Sequence, residues 1–161
     1  MRKKGATFRR NISAINPLFS LGADAANRLA IPERIAMDAL MAHKANADHI
    51  GQLETLVETS IRAVLIAKRE ALPHLDMAAL EEALEAFMDA ARSLRRAKIR
   101  HDKTGVYGLD SADRAAMARA DELVGEMRKP GVILRKTWLK AFRESATGSG
   151  VLIPAKSQEA A

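Results

Sequence analysis

The chain contains no cysteine. Disulfide staples, thiol catalysis and cysteine zinc sites are thereby excluded. Aromatic residues are scarce, with 1 Trp and 1 Tyr. No stretch is long and apolar enough to cross a membrane. The opening Met1-Arg2-Lys3-Lys4 is basic but no apolar core follows it, so a secretory signal is not expected and the cytoplasm is the expected location. The sequence also lacks a phosphate loop of the GxxxxGK type, a nucleophile elbow and an HExxH pair. These absences point away from an enzyme, and no cofactor is expected.

What remains is rich in alanine, leucine, methionine and charged residues. Such side chains lose little rotamer freedom in a helix, which favours helix over strand. A length of 161 residues suits one domain with room for a core. The net charge of +6 is unevenly placed. Residues 1–22 hold five basic groups and no acid. Residues 23–91 carry a net −6, and residues 92–143 a net +8. An acidic middle thus lies between a basic arm and a basic second half, a pattern that bears on partners rather than on fold.

Along the chain, residues 1–22 read as a basic arm, disordered before about residue 12. Phe8, Ile12, Ile15, Leu18, Phe19 and Leu21 are its candidate anchors to the core. A helix is predicted from Pro32, where the missing N–H is harmless, to His43 or Lys44, with Ile35, Ala36, Ala39 and Leu40 inward. A long second helix, residues 48–71, is capped by Asn46 or Asp48 and stopped by Pro73. Ile50, Leu53, Val57, Ile61, Val64, Leu65 and Lys68 follow one face of it. A third helix starts at the cap Asp76 and runs to about Arg100, with Met77, Leu80, Leu84, Phe87, Ala91 and Leu94 in its stripe. Gly105 and Gly108 interrupt the chain. A fourth helix follows Asp110 or Ser111, with Asp113 suiting the helix dipole and Ala116, Arg119, Leu123, Val124 and Met127 forming its packing stripe. Lys129-Pro130-Gly131 ends it, and a short last helix is predicted around Leu134, Trp138, Leu139 and Phe142. The expected fold is all-α: an antiparallel bundle of four to five helices over residues 23–144, with a loose tail over 145–161.

The clearest chemical feature is a basic stripe. Arg92, Arg96, Arg100 and Lys103 recur at steps of four, four and three, on one helical face, with Arg95 and Lys98 beside them. Guanidinium forks suit phosphate oxygens, because each can donate two hydrogen bonds to one anion. The plainer alternative is a solvated helix end whose cations favour the dipole or pair with the acidic middle. A second basic group, Arg128, Lys129, Arg135, Lys136, Lys140 and Arg143, has Trp138 and Phe142 interleaved. Aromatics among cations can stack bases, although a Trp at helical spacing from leucines reads first as core. The turn Gly105-Val106-Tyr107-Gly108 has the spacing of a GXXG backbone clamp, but no strands accompany it, so it reads as a tight connection with Tyr107 packed on the bundle. His43, His49, His74 and His101 show no paired ligand spacing and read as surface or capping residues. Glu81, Glu82, Glu85 and Asp89 read as a solvated face.

The basic arm of residues 1–10, the run Met37-Asp38-Ala39-Leu40, the helix over 48–69 and the segment Arg100-His101-Asp102-Lys103-Thr104-Gly105-Val106-Tyr107-Gly108-Leu109 form an ordered pattern. It resembles short helical proteins carried by phages, prophages and plasmids of Gram-negative bacteria, some of them labelled Fis-type regulators. The resemblance covers roughly residues 1–143 and implies a mobile-element origin, with no catalytic residues to carry over. The expected function is non-enzymatic binding of nucleic acid, DNA ahead of RNA. Arg2, Lys3, Lys4, Arg9 and Arg10 of the arm, with Arg92, Arg95, Arg96, Arg100 and Lys103, are the candidate contacts. The competing expectation is a protein-binding inhibitor or adaptor, such as an anti-defence (anti-CRISPR-like) factor acting on a host protein. A third is a structural part of a particle, a homo-oligomer joined along its long helices.

Overall fold

Five helices follow one another in the described part of the chain, and their ends are set by side chains near the backbone. The structure is a computed structural model that describes residues 31–71, 73, 75–129, 132–133 and 135–146. The expected basic arm, including Arg2, Lys3, Lys4, Arg9 and Arg10, lies outside the described residues, as do Pro130-Gly131 and residues 147–161 of the expected tail.

Helix α1 spans Ile31–Met41, with Pro32 in its first turn. Helix α2 spans Ala47–Glu70 and opens with a reciprocal cap. The Asn46 side chain accepts from the His49 N–H at 2.9 Å, and His49 Nδ1 accepts from the Asn46 N–H at 3.3 Å. Two orphan amides are satisfied in this way, with histidine where a capping box usually has Glu or Gln. Ala71, in the left-handed region at φ 44°, closes α2 just ahead of Pro73. Helix α3 spans Met77–Thr104 behind the cap Asp76, whose carboxylate accepts from the Ala78 and Ala79 N–H groups. It runs one turn past the expected end at Arg100. Gly105 supplies the left-handed C-terminal position at φ 75°, and Thr104 Oγ1 donates to the Arg100 carbonyl at 2.8 Å. Helix α4 spans Ser111–Met127 behind Asp110, which accepts from the Asp113 N–H at 2.8 Å. Helix α5 spans Arg135–Ala146. The described residues contain no strand.

Helix α2 is the centre of the packing and touches α1, α3 and α5, while α3 also touches α4. Cross-helix pairs fix the directions. Lys68 meets Glu81 and Glu54 meets Lys98, so α2 and α3 are antiparallel. Arg119 meets Glu82 and Arg96 meets Asp113, so α3 and α4 are antiparallel. Arg62 meets Glu144 and Glu70 meets Thr137, so α5 runs antiparallel to α2. Glu33 of α1 holds Arg128 past the end of α4. The result is an antiparallel all-α bundle with one apolar core, in which Leu40, Leu53, Ile61, Phe87, Leu94, Met117 and Trp138 are fully enclosed.

Four expected core positions turn outward, and one of them is Met77 in the first turn of α3, 39 % exposed. Ile35 is 54 % exposed, and Met37 takes the buried place beside Ala36 and Leu40. Leu65 is 39 % exposed although its helix is the one the others pack against. Arg119 leaves the packing stripe of α4, which runs instead through Asp113, Met117, Ala120, Val124 and Met127. The Arg119 guanidinium reaches Glu82 and Glu122 in solvent. A charged head at that position had a cheaper place in water than in the core. Among the described residues no helix is long and apolar enough to cross a membrane.

Candidate anion-binding surface

The expected stripe on α3 divides into three parts. Arg92, Arg96 and Arg100 turn to carboxylates of the protein itself. Arg92 donates to Asp89 at 2.6 Å, within its own helix. Arg96 donates to Asp113 Oδ1 through Nε at 2.8 Å and Nη2 at 2.5 Å, and Nη2 also reaches Ser93 Oγ at 3.1 Å. Arg100 donates from Nη1 to Asp113 Oδ2 at 2.5 Å and to the Gly108 carbonyl at 3.0 Å, and from Nη2 to Asp110 at 2.6 Å. Arg95 and Lys98 point toward α2, where they line a groove, and Lys98 is paired with Glu54 at 3.0 Å. Lys103 is exposed at the end of the helix.

Asp113 sits at the centre of this arrangement with its side chain wholly excluded from solvent. Burial would push its carboxyl up, but hydrogen bonds from Arg96, Arg100 and Ser93 outweigh that and hold it below the usual aspartate range. The Arg100 guanidinium is raised, chiefly by its hydrogen bond to Asp113. These arginines therefore act as clamps between α3, the Gly105–Gly108 turn and α4. The sequence carried one signal for this. Asp113 stands four residues before Met117 and seven before Ala120, in register with the buried stripe, and a buried carboxylate requires cations. The acid that suits the helix dipole in the first turn of α4 also occupies the buried stripe.

The turn after α3 is a connection. Tyr107 stacks on His101, with ring centroids 4.0 Å apart and planes 9° from parallel. Gly105 caps α3, as described above. His43 faces the Arg114 guanidinium, and His49 serves as a cap. The described residues contain no cluster of His, Cys, Asp or Glu suited to a metal ion. Glu81, Glu82 and Asp89, expected on a solvated face, are tied to Lys68, Arg119 and Arg92.

The second basic group also divides. Arg128 grips Glu33 with both ends of its fork, at 2.7 and 3.0 Å, and its guanidinium carbon lies 5.9 Å from the Trp138 ring centre. Lys129 pairs with Glu126 at 2.7 Å. Trp138 is buried and Phe142 half-buried, so both serve the core rather than a stacking platform. Lys136, Lys140 and Arg143 remain. All three are exposed and none has an ion pair among the described residues. Their spacing of four and three gathers them on one face, opposite the buried Thr137, Trp138 and Ala141. From Lys136 to Arg143 the stripe advances seven steps along the helix, about 10 Å at a rise of ~1.5 Å per residue. It begins at the end of the bundle where α1 also begins, as the Glu70–Thr137 and Glu33–Arg128 contacts show.

Comparison with protein-family models, with curated proteins and with solved structures found no match.

Proposed function

We propose that the protein is a non-enzymatic nucleic-acid-binding protein that grips phosphate backbone through the outer face of α5, acting together with the basic residues Arg2, Lys3, Lys4, Arg9 and Arg10 of the arm. The observation that carries this reading is the row Lys136, Lys140 and Arg143, exposed and without acidic partners among the described residues. Arg92, Arg96 and Arg100 contribute to it indirectly, since their charge is already matched by Asp89, Asp110 and Asp113. Cations neutralised in this way have little left for a second anion, whereas free ones release counterions from a polyanion. Duplex DNA fits better than a single strand. Among the described residues Phe87 and Trp138 are buried and Tyr107 and Phe142 half-buried, whereas single-strand binders depend on open Phe, Tyr or Trp rings to stack bases. The contacts expected are to backbone, so the binding would be weakly selective for sequence.

The test is the salt dependence of binding. Fluorescence anisotropy of a labelled duplex is measured over a series of salt concentrations for the wild-type chain and for Lys136→Gln/Lys140→Gln/Arg143→Gln. Each phosphate contact contributes a slope of about −0.9 in log K against log salt, so the triple variant should lose about 2.7 of slope. Lys98→Gln, whose charge is taken by Glu54, should leave the slope unchanged. Equal slopes for the triple variant and wild type would remove α5 from the interface. No binding of the wild-type chain at low salt would overturn the function itself.

A further inference from the structure

A groove of about 600 Å³ lies between the first half of α2 and the last half of α3. Val57, Ile61 and Leu94 form its floor, and Ile99, 47 % exposed, stands on its rim. The α2 lip is acidic, with Glu54 and Glu58. The α3 lip carries Arg95 and Lys98, followed by Asp102 at its end. The groove is one end of a longer seam. On α2, Glu54, Glu58, Ile61, Leu65 and Lys68 recur at steps of four, three, four and three. On α3, Glu81, Leu84, Met88, Ala91, Arg95 and Lys98 recur at steps of three, four, three, four and three. Steps averaging about 3.5 residues keep a stripe on one face of helices that pack side by side. The fold leaves both stripes partly open. Leu65 is 39 % exposed, and Leu84, Met88 and Ala91 are half-buried. Apolar side chains lined up in this way signal an occupant more strongly than scattered exposed ones do.

The charges select a second copy of the chain. Glu54 meets Lys98 at 3.0 Å at one end of the seam, and Lys68 meets Glu81 at 3.2 Å at the other. A two-fold axis parallel to the seam keeps every residue at its own level and sets α2 of one copy over α3 of the other. Each of these pairs then faces its symmetry mate with the signs reversed, which makes a ring of four alternating charges at each end. The apolar stripes meet between the two rings. Arg95 has no ion pair among the described residues. It lies about 4.5 Å along α3 from Lys98, and Glu58 lies about 6 Å along α2 from Glu54. The helices are antiparallel, so the two displacements run in the same direction, and the axis brings Arg95 over Glu58 of the other copy. Arg62 already holds Glu58 within α2, at 2.9 and 3.2 Å, and the second cation flanks it from outside. Asp102, 81 % exposed, lies on the other side of Lys98 and stays in water at the rim. An axis across the middle of the groove would instead lay α2 on α2, acid lip on acid lip.

We infer that the α2–α3 seam is the surface on which two copies of this chain associate, α2 of each against α3 of the other, as a four-helix arrangement with a self-complementary interface. The inference does not depend on the nucleic-acid reading, which uses the outer face of α5.

The test is charge reversal in the full chain, read by sedimentation velocity and light scattering without nucleic acid. The wild-type chain is expected to form a dimer of twice 17.5 kDa at micromolar concentration. Glu54→Lys/Glu58→Lys makes both lips of the groove basic, and Arg95→Glu/Lys98→Glu makes both acidic. Either variant alone should self-associate at least about tenfold more weakly than wild type, because like charges then face each other. The two variants mixed in equal amounts should dimerise again, since a basic face meets an acidic one. Circular dichroism checks that each variant keeps its helices, which exposed ion pairs support only weakly. A misfolded variant would not be rescued by mixing, so rescue separates the interface from damage to the fold. A monomeric wild-type chain would overturn the inference. Reversed variants that associate as tightly as wild type, or a mixture of folded variants that stays monomeric, would overturn it as well.

Discussion

Replacing Asp113 by Asn tests whether the arginines of α3 are structural clamps. The carboxylate is fully buried, while the side chains of Arg96 and Arg100 are 47 % and 34 % exposed. Removing one partner of a buried pair typically destabilises by about 3–5 kcal/mol, because the other charge is stranded. Here both arginines can turn to water, so the loss is reduced. The amide also keeps one acceptor oxygen, but its NH₂ group would face guanidinium donors in a dry site. Together these considerations give about 2–3 kcal/mol. For a chain of this length the corresponding fall in Tm is about 4–12 °C. The assay is thermal and urea unfolding followed by circular dichroism at neutral pH. A fall of less than about 2 °C would refute the assignment of Asp113 as the electrostatic centre of the α3–α4 contact. The pH dependence supplies a second check. The folded-state pKa of Asp113 lies below its unfolded value, so its stabilisation is present above the unfolded pKa of about 3.9 and is lost as pH falls through the lower folded value. The gap between wild type and D113N should therefore hold at neutral pH and shrink in strong acid. In a double-mutant cycle, Arg96→Gln with D113N should destabilise less than the sum of the two single changes.

Two further perturbations follow from the same geometry. At Gly105 an added Cβ would meet nothing within 4 Å, so Gly105→Ala is penalised only by φ 75°, by about 1 kcal/mol or a 2–4 °C fall in Tm. Gly108→Ala, where the added Cβ would make ordinary contacts with His43 and Arg100 at 3.7 Å and beyond, should be nearly neutral; a larger loss at 108 than at 105 would contradict the capping role. Asp121 is raised above the usual aspartate range, first by burial and then by Glu33 and Asp38, against the lowering effect of Arg34 and Arg128. Its ionised form is disfavoured in the folded chain, so stability from this site increases as pH falls through its raised pKa. Asp121→Asn should raise Tm at neutral pH by about 1–2 °C, within the range of surface substitutions, and a clear fall in differential scanning fluorimetry would count against it.

Helix positions were legible because they depend on neighbours in the chain. Asn46, Asp76 and Asp110 each cap the helix that follows, through contacts two or three residues away. Pro73 lies just past the end of α2, and Gly105 ends α3. The facing of side chains was less legible. On α2 the expected stripe was one-sided, yet three helices surround it, and Leu56, Thr59, Ser60, Ala63 and Ile66 are buried as well. A periodicity argument assumes one covered face and fails for a central helix.

The basic stripe shows the same limit in its functional form. Spacing along α3 places Arg92, Arg96 and Arg100 on one face, but it cannot say what that face meets. The answer lies 17 residues away for Arg96 and 13 for Arg100, on another helix whose rotation decides whether Asp113 points in or out. A row of cations on a helix is ambiguous until the partner helix is placed, and on α3 the partner supplies the anion. On α5 the ambiguity resolves the other way. Lys136, Lys140 and Arg143 lie opposite Trp138, which is only 2 % exposed, so the face that carries them is turned away from the bundle. Burial of a single large side chain thus orients the whole short helix, and with it the charge. Repulsion among these three like charges, four and three residues apart, costs little in water, and no acid among the described residues is paired with them. That outward row is the one to which the proposed phosphate binding is assigned, and the salt-slope measurement on Lys136→Gln/Lys140→Gln/Arg143→Gln decides the assignment.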